Sequence, residues 1–285
     1  MGTSQSSKGP PSGVPMVPPW VPDIPLPAEL PKVGPSEGAS DAGVEHDRTP
    51  QIAPRQPIPI APARRFGNAR RSLGNFARYG DRGSMRHGVG SYVKSGYGGS
   101  KTAMRRFGGT TQTANTLYSA LSGGVTSPYV APGSQLDPVL MAGRSADDVM
   151  DAVVEAVRPV DGTQDTEASR TAIKDALAEA LTRFPDADLL NLEDQQRELV
   201  IESYVAADVF RRFDLDIGKT IQDKAPSAIT GLGRLKEVRE YIRETVAASF
   251  RKLRNDGQQM VAGRITEIVQ NALYETFQVF EEYAE

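Results

Sequence analysis

From residue 145 onward, apolar side chains return every three or four positions, the spacing of one buried helix face. Ser145-Ala146-Asp147-Asp148 reads as a capping start. Val149, Met150, Val153, Val154 and Val157 follow as a stripe that stops at Pro159. A second helix is predicted over about Thr166–Phe184, with Ile173, Leu177, Ala180, Leu181 and Phe184 inward and Pro185 as its end. A third, about Leu192–Phe213, carries Leu199, Ile201, Tyr204, Val205, Val209 and Phe213, and Pro226 marks the next break. A fourth, about Ile229–Arg254, carries Leu232, Leu235, Val238, Ile242, Val246, Phe250 and Leu253. Asp256-Gly257 turns the chain into a last helix, about Gln258–Glu282, with Val261, Ile265, Ile268, Val269, Ala272, Leu273, Phe277 and Phe280 on one side. Five amphipathic helices can close around one core, and no strand pattern competes, so the fold class is all-α. The carboxylates of this half are expected on solvated faces.

Upstream the pattern shortens. Between residues 64 and 124, glycines at 67, 74, 80, 83, 88, 90, 96, 98, 99, 108 and 109 cut the chain into pieces of one to three turns. Short helices are expected at Asn68–Tyr79, Ser84–Lys94, Ser100–Phe107 and Thr110–Gly124, with glycine acting as their stop. Residues 125–144, with Pro128, Pro132 and Pro138, read as a linker. Residues 1–63 hold fifteen of the 21 prolines and read as a disordered or polyproline-like tail. The resulting division is tail 1–63, basic region 64–124, linker 125–144 and acidic helical domain 145–285.

Charge sharpens that division. Arg64–Gly109 holds nine Arg and two Lys against one acid, Asp81, a formal +10 in a chain whose total is −3. Segregation on this scale concerns partners more than packing. The candidate contact surface is Arg64, Arg65, Arg70, Arg71, Arg78, Arg82, Arg86, Lys94, Lys101, Arg105 and Arg106. Phe66, Phe76, Tyr79, Tyr92, Tyr97 and Phe107 are interleaved with them. Three readings stay open. The block grips nucleic-acid phosphate and stacks bases; it docks an acidic protein through bidentate arginines; or it folds back on the chain's own acidic helices.

The tail adds two features. Val14-Pro15-Met16-Val17-Pro18-Pro19-Trp20-Val21-Pro22 carries the only Trp, and Pro18, Pro19, Trp20, Val21 and Pro22 read as a linear docking motif. Equally, Trp20 tucks onto the chain's own helices. Gly2 permits removal of Met1, which exposes a glycine amine on a mobile leash. Met1-Gly2-x-x-x-Ser6 also fits the loose myristoylation pattern, and simple methionine trimming is the bland alternative.

No catalytic constellation is visible. There is no cysteine, and neither histidine, His46 or His87, sits at a metal-ligand spacing. Gly96-Tyr97-Gly98-Gly99-Ser100-Lys101-Thr102 approaches a phosphate loop, but Ser100 and Ser95 stand where that motif needs glycine, so a nucleotide site is rejected. No cofactor and no active site are expected. No apolar run of membrane-spanning length and no secretory signal are seen, so a cytoplasmic protein without a membrane partner is expected.

The opening MGTSQSSKGPPSGVPMVPPWVPD, with FGNARRSLGNFARYGDRGSMRHGVGSYVKSGYGG and RRFGGTTQTANTLYSALSGG, resembles the QatB family, second component of the bacterial four-gene Qat anti-phage defence system. These strings span residues 1–124 and mark a family more than a mechanism. The resemblance implies a genetic neighbourhood of an ATPase (QatA), a QueC-like enzyme (QatC) and a TatD-like nuclease (QatD). QueC-type enzymes act on a carboxylated 7-deazaguanine precursor with ATP, and their defence relatives join a deazaguanine to a protein N-terminus through an amide. The resemblance therefore implies a non-enzymatic adaptor and QatC substrate with Gly2 as acceptor. The alternative is a basic subunit that presents DNA to the nuclease.

Overall fold

The chain, seen in a computed structural model that describes residues 13–19, 21, 60–123, 129 and 131–284, is all-α. Among the described residues the helices are α1 (Gly67–Tyr79), α2 (Arg82–Ser91), α3 (Ser100–Arg106), α4 (Gly108–Ala120), α5 (Pro138–Met141), α6 (Ala146–Val157), α7 (Gln164–Arg183), α8 (Asp194–Phe213), α9 (Lys219–Lys224), α10 (Ala228–Asn255) and α11 (Ile265–Glu282). Two π-helical turns, Tyr92–Gly96 and Asp214–Gly218, continue α2 and α8. Extended pairing is limited among these residues to two isolated bridges, Pro15 with Ile60 and Ser122 with Asn191.

Local chemistry sets the starts. At α6, Ser145 Oγ accepts from Asp148 N at 3.2 Å while Asp148 Oδ2 accepts from Ser145 N at 3.3 Å, the reciprocal box the sequence predicts. Thr163 caps α7 and Ser227 caps α10 in the same manner, each accepting from the amide three residues on. α8 lies against α7, α10 and α4, and most of its length from Val200 to Phe213 is buried. α11 packs on α10 and, beyond it, on α2, α3 and α4. α1 pairs with α2 and rests on α9. Buried apolar side chains from Phe66 to Phe280 form one cluster, so the basic stretch and the acidic helices share a core.

Gly88 and Gly90 lie inside α2, within the helix expected at Ser84–Lys94, where other elements come close. A Cβ at Gly88 would meet Leu73 Cγ at 2.5 Å, and one at Gly90 would meet the main chain of Phe280, Tyr283 and Ala284 at 2.6–2.9 Å. Glycine there is a means of close approach, as in any tightly crossed helix pair. The last helix begins at Ile265 instead of Gln258, because Gly263 adopts φ +88°, a left-handed value that interrupts the helix. Val261 is accordingly 45% exposed, and Leu232, placed on the inward stripe of α10, is 64% exposed. The third helix of the acidic half, α8, ends at Phe213, as expected, but the chain does not leave helical geometry there. It runs through the π turn into α9 and yields just before Pro226.

Candidate functional site

The wide turn Tyr92–Gly96 has a visible consequence. In an α-helix, residues five apart stand about 140° apart around the axis. The i→i+5 turn brings them round to one side. Here it aligns the Tyr92 and Tyr97 hydroxyls 3.3 Å apart, and both donate to Asp216 Oδ2, at 3.0 and 2.9 Å. Asp216 belongs to the second π turn, so the two wide turns are tied through one carboxylate. Burial holds the Asp216 carboxyl above its ordinary range, against the opposing pull of the Tyr97 bond and the nearby Arg65. Burial likewise pushes both phenols up. Phe66 stacks on Tyr92 at 5.3 Å, and its ring lies so close to Gly96 that a Cβ there would sit 2.4 Å from it.

A second buried network joins the basic stretch to the acidic one. Thr110 Oγ1 donates to Asp208 Oδ2 at 2.5 Å, and Arg212 Nε reaches the same oxygen at 3.2 Å. Arg212 also reaches Asp165 at 3.3 Å, and Arg106 reaches Asp165 at 3.1 Å. Burial works to lower the Arg212 pKa, but Asp208 and Asp165 outweigh it and the guanidinium is held charged. Arg212 also lies over the Phe107 ring at 5.1 Å. Asp208 is thus an interior residue and Asp216 a half-buried one, and neither belongs to a solvated face. Asp208 and Arg212 could have been found in the sequence: they fall, four apart, within the apolar stripe Ile201, Val205, Val209.

The candidate cations divide into two groups. Arg106 is ion-paired with Asp165, Arg70 donates to the Asp216 carbonyl at 3.2 Å, and Arg65 lies over the Phe66 and Tyr97 rings at 4.5 and 5.4 Å. These three are half-buried and serve the fold, and Arg105 is half-buried as well. Arg64, Arg71, Arg78, Arg82, Arg86, Lys94 and Lys101 are exposed. Arg86 lies over Tyr283 at 5.4 Å. Among the described residues Arg64, Arg71, Arg78 and Arg82 form no ion pair. The interleaved aromatics do not join them: Phe66, Phe76, Tyr92, Tyr97 and Phe107 are all buried, and Tyr79 alone of the six stands out, at 77% exposed.

The near-phosphate loop is filled from within. Gly98 and Gly99 take φ +76° and +97°, and the first amide of α3, Ser100 N, donates to Glu281 Oε2 at 2.8 Å. The tail docks beside it. Ala61 N donates to Val14 O at 2.8 Å and Gly13 N to Ala61 O at 3.1 Å, while Met16 and Val17 are buried. Met16 Sδ lies 2.7 Å from where a Cβ of Gly98 would be. Of the docking motif, Pro18 and Val21 are half-buried, Pro19 is exposed, and Val21 N donates to Pro18 O at 3.0 Å. Gly2, Trp20 and Pro22 lie outside the described residues. Among the described residues no helix is long and apolar enough to cross a membrane, and no cluster of three His, Asp or Glu is placed to hold a metal ion.

Fold and surface together define an all-α protein with a docked N-terminal segment and an unpaired arginine face. A model of the family described as Qat anti-phage system associated protein QatB matches residues 98–280, and the chain belongs to that family. It is therefore a component of an anti-phage defence system. No curated protein and no solved structure matched the chain.

Proposed function

We propose that this chain is the adaptor and the N-terminal protein substrate of the QueC-like enzyme of the Qat system (QatC), with Gly2 as the acceptor. The ATPase (QatA) and the TatD-like nuclease (QatD) are its further partners in this reading. The observation that supports it best is the docked segment Gly13–Val17. Pinned through Val14 and Ala61, it leaves eleven residues, 2–12, ahead of Gly13 once Met1 is removed. Fully extended, that length reaches at most about 40 Å. This is long enough to carry an amine from the body of one protein into the active site of another. The residues ahead of the anchor are small and polar (Gly, Ser, Thr, Gln, Lys, Pro), which suits threading through a narrow entrance. The Gly2 amine would attack the acyl carbon of an adenylate-activated deazapurine carboxylate. The C–N amide bond forms, the bond to the phosphate oxygen breaks, and AMP leaves. Pro18, Pro19, Trp20, Val21 and Pro22 would then be the part of the tail that the enzyme grips.

The test is intact mass spectrometry of the full chain expressed alone and with the QueC-like enzyme. The expected result is a mass gain that appears only with the enzyme and maps to the N-terminal peptide at Gly2. An adduct at Gly9 or Gly13 would move the acceptor to a processed terminus. An unchanged mass beside a demonstrably active enzyme overturns the substrate role.

A further inference from the structure

Arg64, Asn68, Arg71, Asn75, Arg78 and Arg82 follow one another at steps of four, three, four, three and four residues, and all six are exposed. That spacing lays Asn68, Arg71, Asn75 and Arg78 along one outward face of α1, with Arg64 and Arg82 flanking it in sequence. Arg71 and Arg78 stand about 10 Å apart along the helix axis. From this face we infer a further activity, independent of the tail: α1 is a binding element for double-stranded nucleic acid, held through phosphate contacts.

Four observations favour that occupant. First, among the described residues no carboxylate is ion-paired with the stripe, and only Arg82, at its end, shares a groove with Glu237, Glu240 and Glu244. Asp81 is engaged by Gly83 N and Ser84 N, and Asp223 of the neighbouring α9 is paired with Lys219. Second, the exposed Lys224 runs along the flank of α1, its Cγ 3.5 Å from where a Cβ of Gly74 would be, and adds a cation beside the stripe. Third, neither α1 nor α2 has an acidic residue in its first turn, and Arg82 sits at the first position of α2, where a cation opposes the helix dipole. Helix stability does not explain an arginine there. Fourth, the residue types are Arg and Asn, with exposed Tyr79 at the end of the helix, which are the usual donors to phosphate oxygens. A protein interface would need an apolar or aromatic centre, and the stripe offers only Tyr79, at its end. A single strand would need stacking rings, and five of the six aromatics of this region are in the core. A duplex groove of about 12 Å admits one helix whose arginines reach both walls.

The test is fluorescence anisotropy of a short labelled DNA duplex titrated with the full chain at several salt concentrations. With four phosphate contacts, log K against log salt should fall with a slope of about −3.5. The double variant Arg71→Gln and Arg78→Gln should bind at least about tenfold more weakly and lower that slope by about 2. Gln keeps the helix, and circular dichroism checks that it does. Arg243→Gln with Arg254→Gln, on the opposite charge environment, should bind like the parent. Three results would overturn the inference: no duplex binding at low salt, equal binding by the Arg71/Arg78 variant, or tighter binding of polyglutamate than of duplex. The last would assign the face to an acidic protein.

Discussion

Arginine is used in two ways in this molecule. In the acidic half many arginines are neutralised locally: Arg170 meets Glu155, Arg211 and Arg239 share Asp175, Arg243 meets Glu179 and Glu240, and Arg254 meets Glu198 and Glu202, while exposed Arg144, Arg183 and Arg251 form no ion pair among the described residues. On the outer face of α1 and at the start of α2, Arg64, Arg71, Arg78 and Arg82 have no such partner among the described residues. Yet both regions contribute to one core. The difference is therefore one of surface, not of folding unit. Exposed pairs contribute about 0–1 kcal/mol each, so stability does not require them to be complete. A row of cations without ion pairs is the surface on which the proposed nucleic-acid contact rests.

The largest expected effect tests the shared core. Asp208→Ala removes the fully buried carboxylate that holds Arg212 and Thr110, and leaves a guanidinium interior with only Asp165. Breaking such a pair costs about 3–5 kcal/mol. Because the network spans α3, α4, α7 and α8, unfolding in urea should remain a single transition shifted to lower concentration. Two separated transitions would show that the basic and acidic regions fold independently, and would break the comparison at its root.

Much of the acidic half is legible in the sequence because its signals are local. The capping box at Ser145, the prolines at 159, 185 and 226, and the stripe of α10 all bear on neighbours in the chain. What was not legible depends on distant contacts. Nothing local says that Gly90 faces the main chain at the end of α11, or that Tyr92 and Tyr97 meet an aspartate more than a hundred residues away. The aromatics of the basic stretch look like a stacking platform beside so many arginines. Their burial follows only once Phe213 and Phe277 arrive from the other half, at 5.2 Å from Tyr92 and 5.0 Å from Phe107. The exposed stripe was legible as charge but not as a face, because Asn68 and Asn75 complete it and asparagine carries no charge signal.

A pair of glycines sharpens the comparison at the next level. Gly90→Ala in α2 should destabilise the protein by about 1–3 kcal/mol, since the atoms it would strike are main chain and cannot rotate away. Gly233→Ala in α10 has open space around its Cβ and a helical conformation, so it should stabilise by about 1 kcal/mol. Thermal unfolding of the two variants reads both signs. If both stabilise, close approach does not explain the glycines of the basic stretch.

Smaller effects separate the two kinds of arginine. Arg71→Gln with Arg78→Gln should leave stability within about 0.5 kcal/mol of the parent, because nothing in the fold leans on those guanidinium groups. Arg254→Gln loses contacts with Glu198 at 3.9 Å and Glu202 at 3.2 Å and should cost up to about 1 kcal/mol. A large loss from the first pair would mean that the stripe is structural.

The smallest expected effect concerns pH and sets a carboxylate bonded within the acidic half, Asp161, against one bonded to the basic stretch, Asp216. Asp161, before α7, accepts from the Thr166 hydroxyl at 2.6 Å and from Thr163, bonds that lower its pKa from 3.8 to about 2. A carboxylate lowered in the folded state contributes stability that is complete above about pH 4 and fades as pH falls toward 2. Asp216, raised by burial, acts in the opposite direction: its protonated form is favoured by the fold, so its contribution improves as pH falls and declines as pH rises through its folded value. Asp161→Asn should flatten the decline of Tm between about pH 4 and pH 2 and leave it unaltered in slope near neutrality. Asp216→Asn should leave that decline between about pH 4 and pH 2 unaltered, because the carboxyl is protonated in both states there, and should remove the gain in stability that Asp216 gives as pH falls toward about 4. Circular dichroism melts across this range decide the matter. An Asp161→Asn variant whose acid decline matches the parent would mean that the cap of α7 carries no pH dependence. An Asp216→Asn variant with a shallower decline would mean that the Tyr92 and Tyr97 bonds prevail over burial and hold that carboxylate ionised.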